Sequence, residues 1–150
     1  MSEYNISKQN TKPIKILLLE DDDGDAKAVI RAFKKAKVLN PITRAIDGVE
    51  GLEILREENG NGKFSPPYLL LVDLSMPRMT GIEFIRELRN DPILKKTIVF
   101  VLTTSKNEED KKLAYDLNVA GYIVKETAGR DFLNLIDLMN TYWRIIELPL

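Results

Sequence analysis

Apolar residues in this chain fall into short runs and into stripes that recur every three or four positions. Apolar runs occupy 14–19, interrupted only by Lys15, and 69–72, 98–102 and 121–124, and a shorter alternating stretch occupies 42–46. Runs of strand length, apolar nearly throughout and bounded by turn residues, predict strands buried on both faces. The stripes predict helices between them. Val29, Ala32, Phe33 and Ala36 mark the inner face of a helix over 25–37, which Asn40-Pro41 ends. Asp47 is placed to cap the next helix, with Val49, Leu52 and Leu55 inward. Asn59-Gly60-Asn61-Gly62 and Pro66-Pro67 predict a loop. Ile82, Ile85 and Leu88 set the inner face of a helix over 81–90, and Leu113, Ala114 and Leu117 that of a weaker one over 107–117. Phe132, Leu135, Ile136 and Met139 set that of a last helix over 131–143.

Strand followed by helix, five times over, predicts an α/β fold, because parallel strands need crossover connections. The expected architecture is a flavodoxin-like (βα)5 doubly wound parallel sheet with strand order 2-1-3-4-5. Residues 1–13 are polar and without periodicity, a loose arm; 14–143 form the folded domain, and 144–150 a tail, with no effector domain expected. The 22 basic residues nearly balance 23 acidic ones, so no global field favours nucleic acid or an anionic membrane. No run approaches the ~20 apolar residues of a membrane span, and the polar N-terminus lacks a signal-peptide core. Without cysteine there is neither disulfide nor thiol chemistry. A cytoplasmic protein is expected.

Chemistry concentrates where the apolar runs end. The first delivers Glu20 and Asp21, the next Asp73, then Thr103, then Lys125. Each alone is an ordinary solvated turn residue or helix cap. In the expected strand order they share one edge of the sheet, where α/β proteins place ligands. Three carboxylates within ~4–6 Å repel by about 1–4 kcal/mol per pair in a surface cleft, and so call for a counter-charge. A set of oxygen ligands without histidine or cysteine suits Mg²⁺, with Mn²⁺ able to take its place, and excludes zinc. Asp21 and Asp73 would bind directly, Glu20 through water, and the Ser75 backbone carbonyl would complete the protein's share. The same parts suit phosphoryl transfer. Asp73 would attack in line, Lys125 would neutralise phosphoryl oxygens, and Thr103 would donate a hydrogen bond that draws its loop inward.

Leu17-Leu18-Leu19-Glu20-Asp21, Val72-Asp73-Leu74-Ser75-Met76-Pro77 through Gly81, Leu102-Thr103-Thr104-Ser105 and Tyr122-Ile123-Val124-Lys125 resemble the receiver domain of two-component response regulators. The resemblance runs from Ile14 to about Tyr142. It implies that Asp73 accepts a phosphoryl group from the phosphohistidine of a partner sensor kinase. It also implies that Glu20 and Asp21 serve Mg²⁺, that Lys125 contacts the phosphoryl group, and that Thr103 and Tyr122 form a conformational relay. The protein would then catalyse only its own phosphorylation and dephosphorylation, and switch contacts with a downstream protein.

Within that family, Asn90-Asp91-Pro92-Ile93-Leu94-Lys95, Leu102 through Glu108, Tyr115-Asp116-Leu117-Asn118-Val119 and the Tyr142-Trp143 ending are similar to the stand-alone regulators that partner bacterial and cyanobacterial phytochromes. A bacteriophytochrome is therefore the candidate kinase. Glu126 stands where most receivers have proline, and the phytochrome-partner group shares that departure. A cis bond before a non-proline residue costs ~2.5–4 kcal/mol, so a trans bond and a rearranged loop are expected there. The chain contains no histidine and cannot be its own phosphohistidine donor. On the last helix Leu133 and Leu138 fall outside the inner stripe; with Tyr142, Trp143 and the tail they are candidates for a homodimer seam, the alternative being scattered surface leucines.

Other classes fit poorly. Phosphatases similar to the haloacid dehalogenase group need an acid two residues beyond the nucleophile, and here that residue is Ser75. A nucleotide-binding domain needs a glycine-rich loop where this chain has a run of acids. The remaining alternative is a pseudo-receiver, a binding module that keeps the fold without being phosphorylated.

Overall fold

The computed structural model describes residues 14–56 and 64–125. Glu126, the last predicted helix with Leu133, Leu138, Tyr142 and Trp143, the arm and the tail all lie outside those residues. Five parallel strands form one sheet: β1 (Lys15–Leu19), β2 (Ile42–Ala45), β3 (Tyr68–Val72), β4 (Val99–Thr103) and β5 (Gly121–Val124). Their order is β2-β1-β3-β4-β5, as the alternation of runs and stripes requires. The described helices are α1 (Asp23–Lys35), α2 (Gly48–Arg56), α3 (Gly81–Asn90) and α4 (Glu108–Asp116).

Burial follows position in the sheet. From Ile16 to Leu19 in β1 and from Leu69 to Val72 in β3, no residue is more than 2% exposed, since both strands have neighbours on either side and layers above and below. β2 and β5 lie at the edges, and their residues are mostly half-buried. Side chains alternate between two cores. Leu17, Leu19, Leu70 and Val72 face the α2–α3 side with Phe84, Ile85 and Leu88. Ile16, Leu18, Leu69 and Leu71 face the α1 side with Ala26, Val29 and Phe33.

Several helix details differ from the sequence reading. α1 begins two residues earlier than expected, at Asp23, because the Asp22 carboxylate caps it by accepting a 2.7 Å hydrogen bond from the Asp25 amide. Its inner face runs through Ala26, Val29 and Phe33, while Ala32 and Ala36 are only partly buried. On α3, Phe84 is fully buried alongside Ile85 and Leu88; Ile82 is only partly so. Spacing explains this: Gly81, Phe84, Ile85 and Leu88 fall on one face at intervals of three and four, and Ile82 sits at its margin. In α4 only Ala114 is buried, with Leu113 and Leu117 at the margin.

Capping fixes other helix starts as well. Thr80 and Glu83 form a reciprocal capping box at α3, and Asp47 accepts from the Glu50 amide at 2.9 Å at α2. Arg89 ties the far ends of two helices together by donating to the carbonyls of Leu117, Lys95, Thr97 and Asn118. All of this leaves the carboxyl edge of the sheet as the place where loops are free to carry side chains.

Candidate functional site

The site is built on three strand ends. β1 hands over to Glu20 and Asp21, β3 to Asp73, and β5 to Lys125. Backbone bonds lock these exits together. The Asp73 amide donates to the Leu19 carbonyl at 3.0 Å, and the Glu20 amide to the Ala45 carbonyl at 3.0 Å. Glu20, Asp21 and Asp73 each offer one carboxylate oxygen, and these three oxygens lie within 4.8 Å of one another. Glu20 and Asp73 are buried while Asp21 is exposed, so the cluster opens to solvent on one side.

Lys125 closes the other side. Its Nζ donates to Glu20 Oε1 at 2.6 Å and to Asp25 Oδ2 at 3.1 Å. Burial by itself would lower the Lys125 pKa, but the hydrogen bond to Glu20 and the charges of Asp73 and Glu20 hold it above the usual value. The ammonium therefore stays charged at the mouth of the cluster. Glu20 moves the other way from most paired carboxylates. Burial pushes its pKa up to about 7, the Asp73 charge adds to the rise, and the Lys125 hydrogen bond only partly offsets it.

That shift has a consequence for stability. The folded chain holds the Glu20 proton more tightly than the unfolded chain does, so this contribution is complete below the ordinary carboxylate range and is lost as pH rises to about 7. Asp47 and Asp91 titrate below their usual value, despite burial, because hydrogen bonds favour their charged forms. They keep their charge throughout that window. Urea melts in EDTA at about pH 5 and about pH 8 are expected to give the lower stability at the higher pH. Equal stability at both, or a gain at the higher pH, would contradict the shift.

The loop from Asp73 to α3 is held tightly. The Gly81 amide donates to the Leu74 carbonyl at 3.0 Å. A Cβ on Gly81 would stand 2.4 Å from the Asp73 carbonyl oxygen and 2.7 Å from Leu74 Cα, so only glycine lets α3 start this close to the strand end. Farther along, Arg78 Nε donates to the buried Asp47 at 2.7 Å, with Arg78 in the left-handed region at φ 64°. Ser75 lies between these anchors, its amide 3.5 Å from Asp73 Oδ1.

Thr103 ends β4 and is fully buried. Its Oγ1 accepts from the Ser105 amide at 3.3 Å, which leaves the hydroxyl proton available to donate. Tyr122 donates its hydroxyl to the Ser105 carbonyl at 3.1 Å. Ser105 Oγ in turn donates to Asp110 Oδ2 at 2.7 Å and accepts from the Asn107 amide at 3.2 Å. Ser105 therefore joins Thr103, Tyr122 and the start of α4, a junction not foreseen in the sequence.

Four further contacts were not foreseen in the sequence. Asp25 touches Lys125, Arg44 donates to the Glu20 carbonyl at 2.8 Å and to Asp23 at 2.7 Å, and Arg78 pairs with Asp47. For Asp25 the only signal was membership of an acidic run. For Arg44 there was none, since its place beside Leu18 in the strand register comes from the structure alone.

Buried anionic oxygens, oxygen donors alone, and one open side fit a hard divalent cation. Glu20, Asp21 and Asp73 are the side chains that would hold it. The response regulator receiver domain profile matches residues 16–137. The chain belongs to the response regulator receiver family. Response regulator Rcp1 of Synechocystis sp. is 30% identical over 145 residues, which span 96% of this receiver and 99% of that protein. The crystal structure of the phosphorylated cyanobacterial phytochrome response regulator RcpA superposes with a TM-score of 0.81 at 33% identity, covering 93% of this receiver and all of that chain. The Mn(2+)-bound form of Rcp1 gives 0.79 at 30% identity, covering 92% of this receiver and all of that chain. This protein is thus a signalling protein of the two-component type and a homologue of phytochrome response regulators. Receivers bind a divalent metal, which agrees with the fit of the carboxylate cluster.

Proposed function

We propose that Asp73 is the phosphoacceptor and that its phosphorylation switches the protein's contacts with other proteins. The observation that supports this reading is the buried Asp73 carboxylate set among Glu20, Asp21 and the Lys125 ammonium at one sheet edge. An Asp73 carboxylate oxygen attacks phosphorus, and a new O–P bond forms as the P–N bond to the donor imidazole breaks. The imidazole leaves with the bonding electron pair and takes up a proton. Glu20, Asp21, Asp73 and the Ser75 carbonyl would hold Mg²⁺, with Mn²⁺ able to replace it; when bound, the cation neutralises charge on the phosphoryl oxygens. Lys125 moves its ammonium toward the same oxygens. Thr103 donates its free hydroxyl proton to the acyl phosphate, which draws the Ser105 junction inward and shifts Tyr122 and α4. The receiver acts as catalyst only in gaining and losing its own phosphoryl group.

Intact-mass spectrometry after treatment with phosphoramidate and Mg²⁺ tests the reading. One added phosphoryl group, absent when EDTA is present, is expected. A folded protein that gains none from phosphoramidate or acetyl phosphate would instead be a pseudo-receiver.

The kinase partner we propose is a sensor histidine kinase of the phytochrome class, in keeping with the phytochrome response regulators among its homologues. Among the described residues no helix is long and apolar enough to cross a membrane, and a cytoplasmic place beside such a kinase fits. We also propose a homodimer seam formed by Leu133, Leu138, Tyr142 and Trp143, supported by their pattern in the sequence alone. Light scattering on a sizing column should give twice the chain mass of 17.1 kDa. A monomer with and without beryllofluoride would remove the seam.

A further inference from the structure

Asp25 lies in the first turn of α1, 100 positions from Lys125 along the chain, yet its carboxylate reaches the Lys125 ammonium at 3.1 Å. On its other side Lys125 holds the buried Glu20 at 2.6 Å. The ammonium therefore bridges one carboxylate sealed inside the site and one about half exposed at its rim. The two partners differ in what else they can do. Glu20 faces Asp21 and Asp73 and belongs to the cation cluster, whereas Asp25 is outside that cluster.

We propose that Asp25 is a positioning residue for phosphoryl transfer, the anchor that keeps Lys125 at the mouth of the site once a cation draws on Glu20. This rests on the reading of Lys125 as the phosphoryl-contacting residue. A cation and an ammonium compete for the same Glu20 oxygens, and a lysine stem with no second partner spreads over many rotamers. Among the described residues two donors of the ammonium are occupied in the bridge, and the third would serve a phosphoryl oxygen. Asp25 is fixed enough to serve. Its amide is bound to Asp22 at 2.7 Å, and it rides on a capped helix packed through Ala26, Val29 and Phe33. Its partial exposure lets the carboxylate follow a small movement of Lys125 toward Asp73.

The test is the rate of phosphorylation by phosphoramidate at saturating Mg²⁺, followed by intact mass, for wild type, Asp25→Asn, Asp25→Ser and Asp25→Glu. Saturating cation removes differences in metal affinity. Both variants lacking the carboxylate are expected to be slowed roughly fivefold to tenfold, and Asp25→Glu to recover to within about twofold of wild type. In a Lys125→Gln background the Asp25→Asn change is expected to have no further effect, since its action runs through the ammonium. Thermal melts establish that each variant is folded. Unchanged or faster phosphorylation in Asp25→Asn and Asp25→Ser would overturn the proposal, and so would an equal loss in the Lys125→Gln background. Failure of the wild type itself to take up phosphoryl groups would instead sink the phosphoacceptor reading.

Discussion

Asp73→Asn is expected to abolish phosphoryl uptake while leaving the fold intact. The carboxylate oxygen carries the electron pair that forms the O–P bond, and an amide oxygen at the same place is far too weak a nucleophile. Shape changes little, and the Asp73 amide keeps its bond to the Leu19 carbonyl, so the buried strand end keeps its packing. The substitution also removes one of three anionic groups whose oxygens lie within 4.8 Å. Without metal, the variant should therefore melt no lower than wild type, and relief of repulsion worth about 1 kcal/mol or more should raise its melting temperature. Added Mg²⁺ should stabilise the wild type and do much less for the variant, because a ligand that binds only the folded state raises its stability. Intact mass after phosphoramidate treatment and melts with and without Mg²⁺ check both halves. Persistent uptake by Asp73→Asn would move the acceptor to another carboxylate, with Asp21 the first to examine.

The largest expected loss of stability is at Phe84. Its ring is fully buried on the α2–α3 side of the sheet. Ring atom Cε1 would lie 3.2 Å from a Cβ built on Gly51, so α2 has come as close as a glycine allows. Phe84→Ala empties the centre of that layer, and replacing a buried aromatic with alanine costs about 3–5 kcal/mol. For a chain of this size that is a fall of roughly 6–20 °C in Tm. Phe84→Leu, which refills most of the space, should lose well under half as much. Urea titration of both variants decides it, and a loss below about 1 kcal/mol for Phe84→Ala would show that the layer closes over the gap. The consequence reaches function, because the same layer supports Leu19 and Val72, the residues immediately before Glu20 and Asp73.

How far these features were legible differs from residue to residue. Leu69–Val72 could be placed as a central strand because doubly buried strands need unbroken apolar runs, and a strand's end is fixed by where the run stops. The position of Asp73 at the sheet edge followed directly. Glu20, Asp21, Thr103 and Lys125 were legible because each stands just past an apolar run, and the strand order puts the four strands that end in these residues and Asp73 side by side. Phe84 was passed over in favour of Ile82. The two stand about 200° apart on the helix, so the inner stripe takes one at the cost of the other; Phe84 shares the face of Gly81, Ile85 and Leu88 and packs against Gly51 of α2. The start of α1 was set by one side-chain bond, Asp22 to the Asp25 amide, within a run of acids any of which could have served as cap.

What the sequence by itself determined was the inventory and its layout: alternating strands and helices, the edge at which the strands end, and the acids, hydroxyl and lysine delivered there. Those follow from local periodicity and chain direction, which need no knowledge of distant neighbours. The tertiary structure decided the pairings. That Lys125 is shared between Glu20 and Asp25, that Ser105 joins Thr103 to Tyr122, and that Arg78 holds Asp47 all depend on distances of a few ångströms between elements remote in the chain. Such distances are set by helix rotation and sheet register, and a hydrogen bond tolerates only a few tenths of an ångström in either.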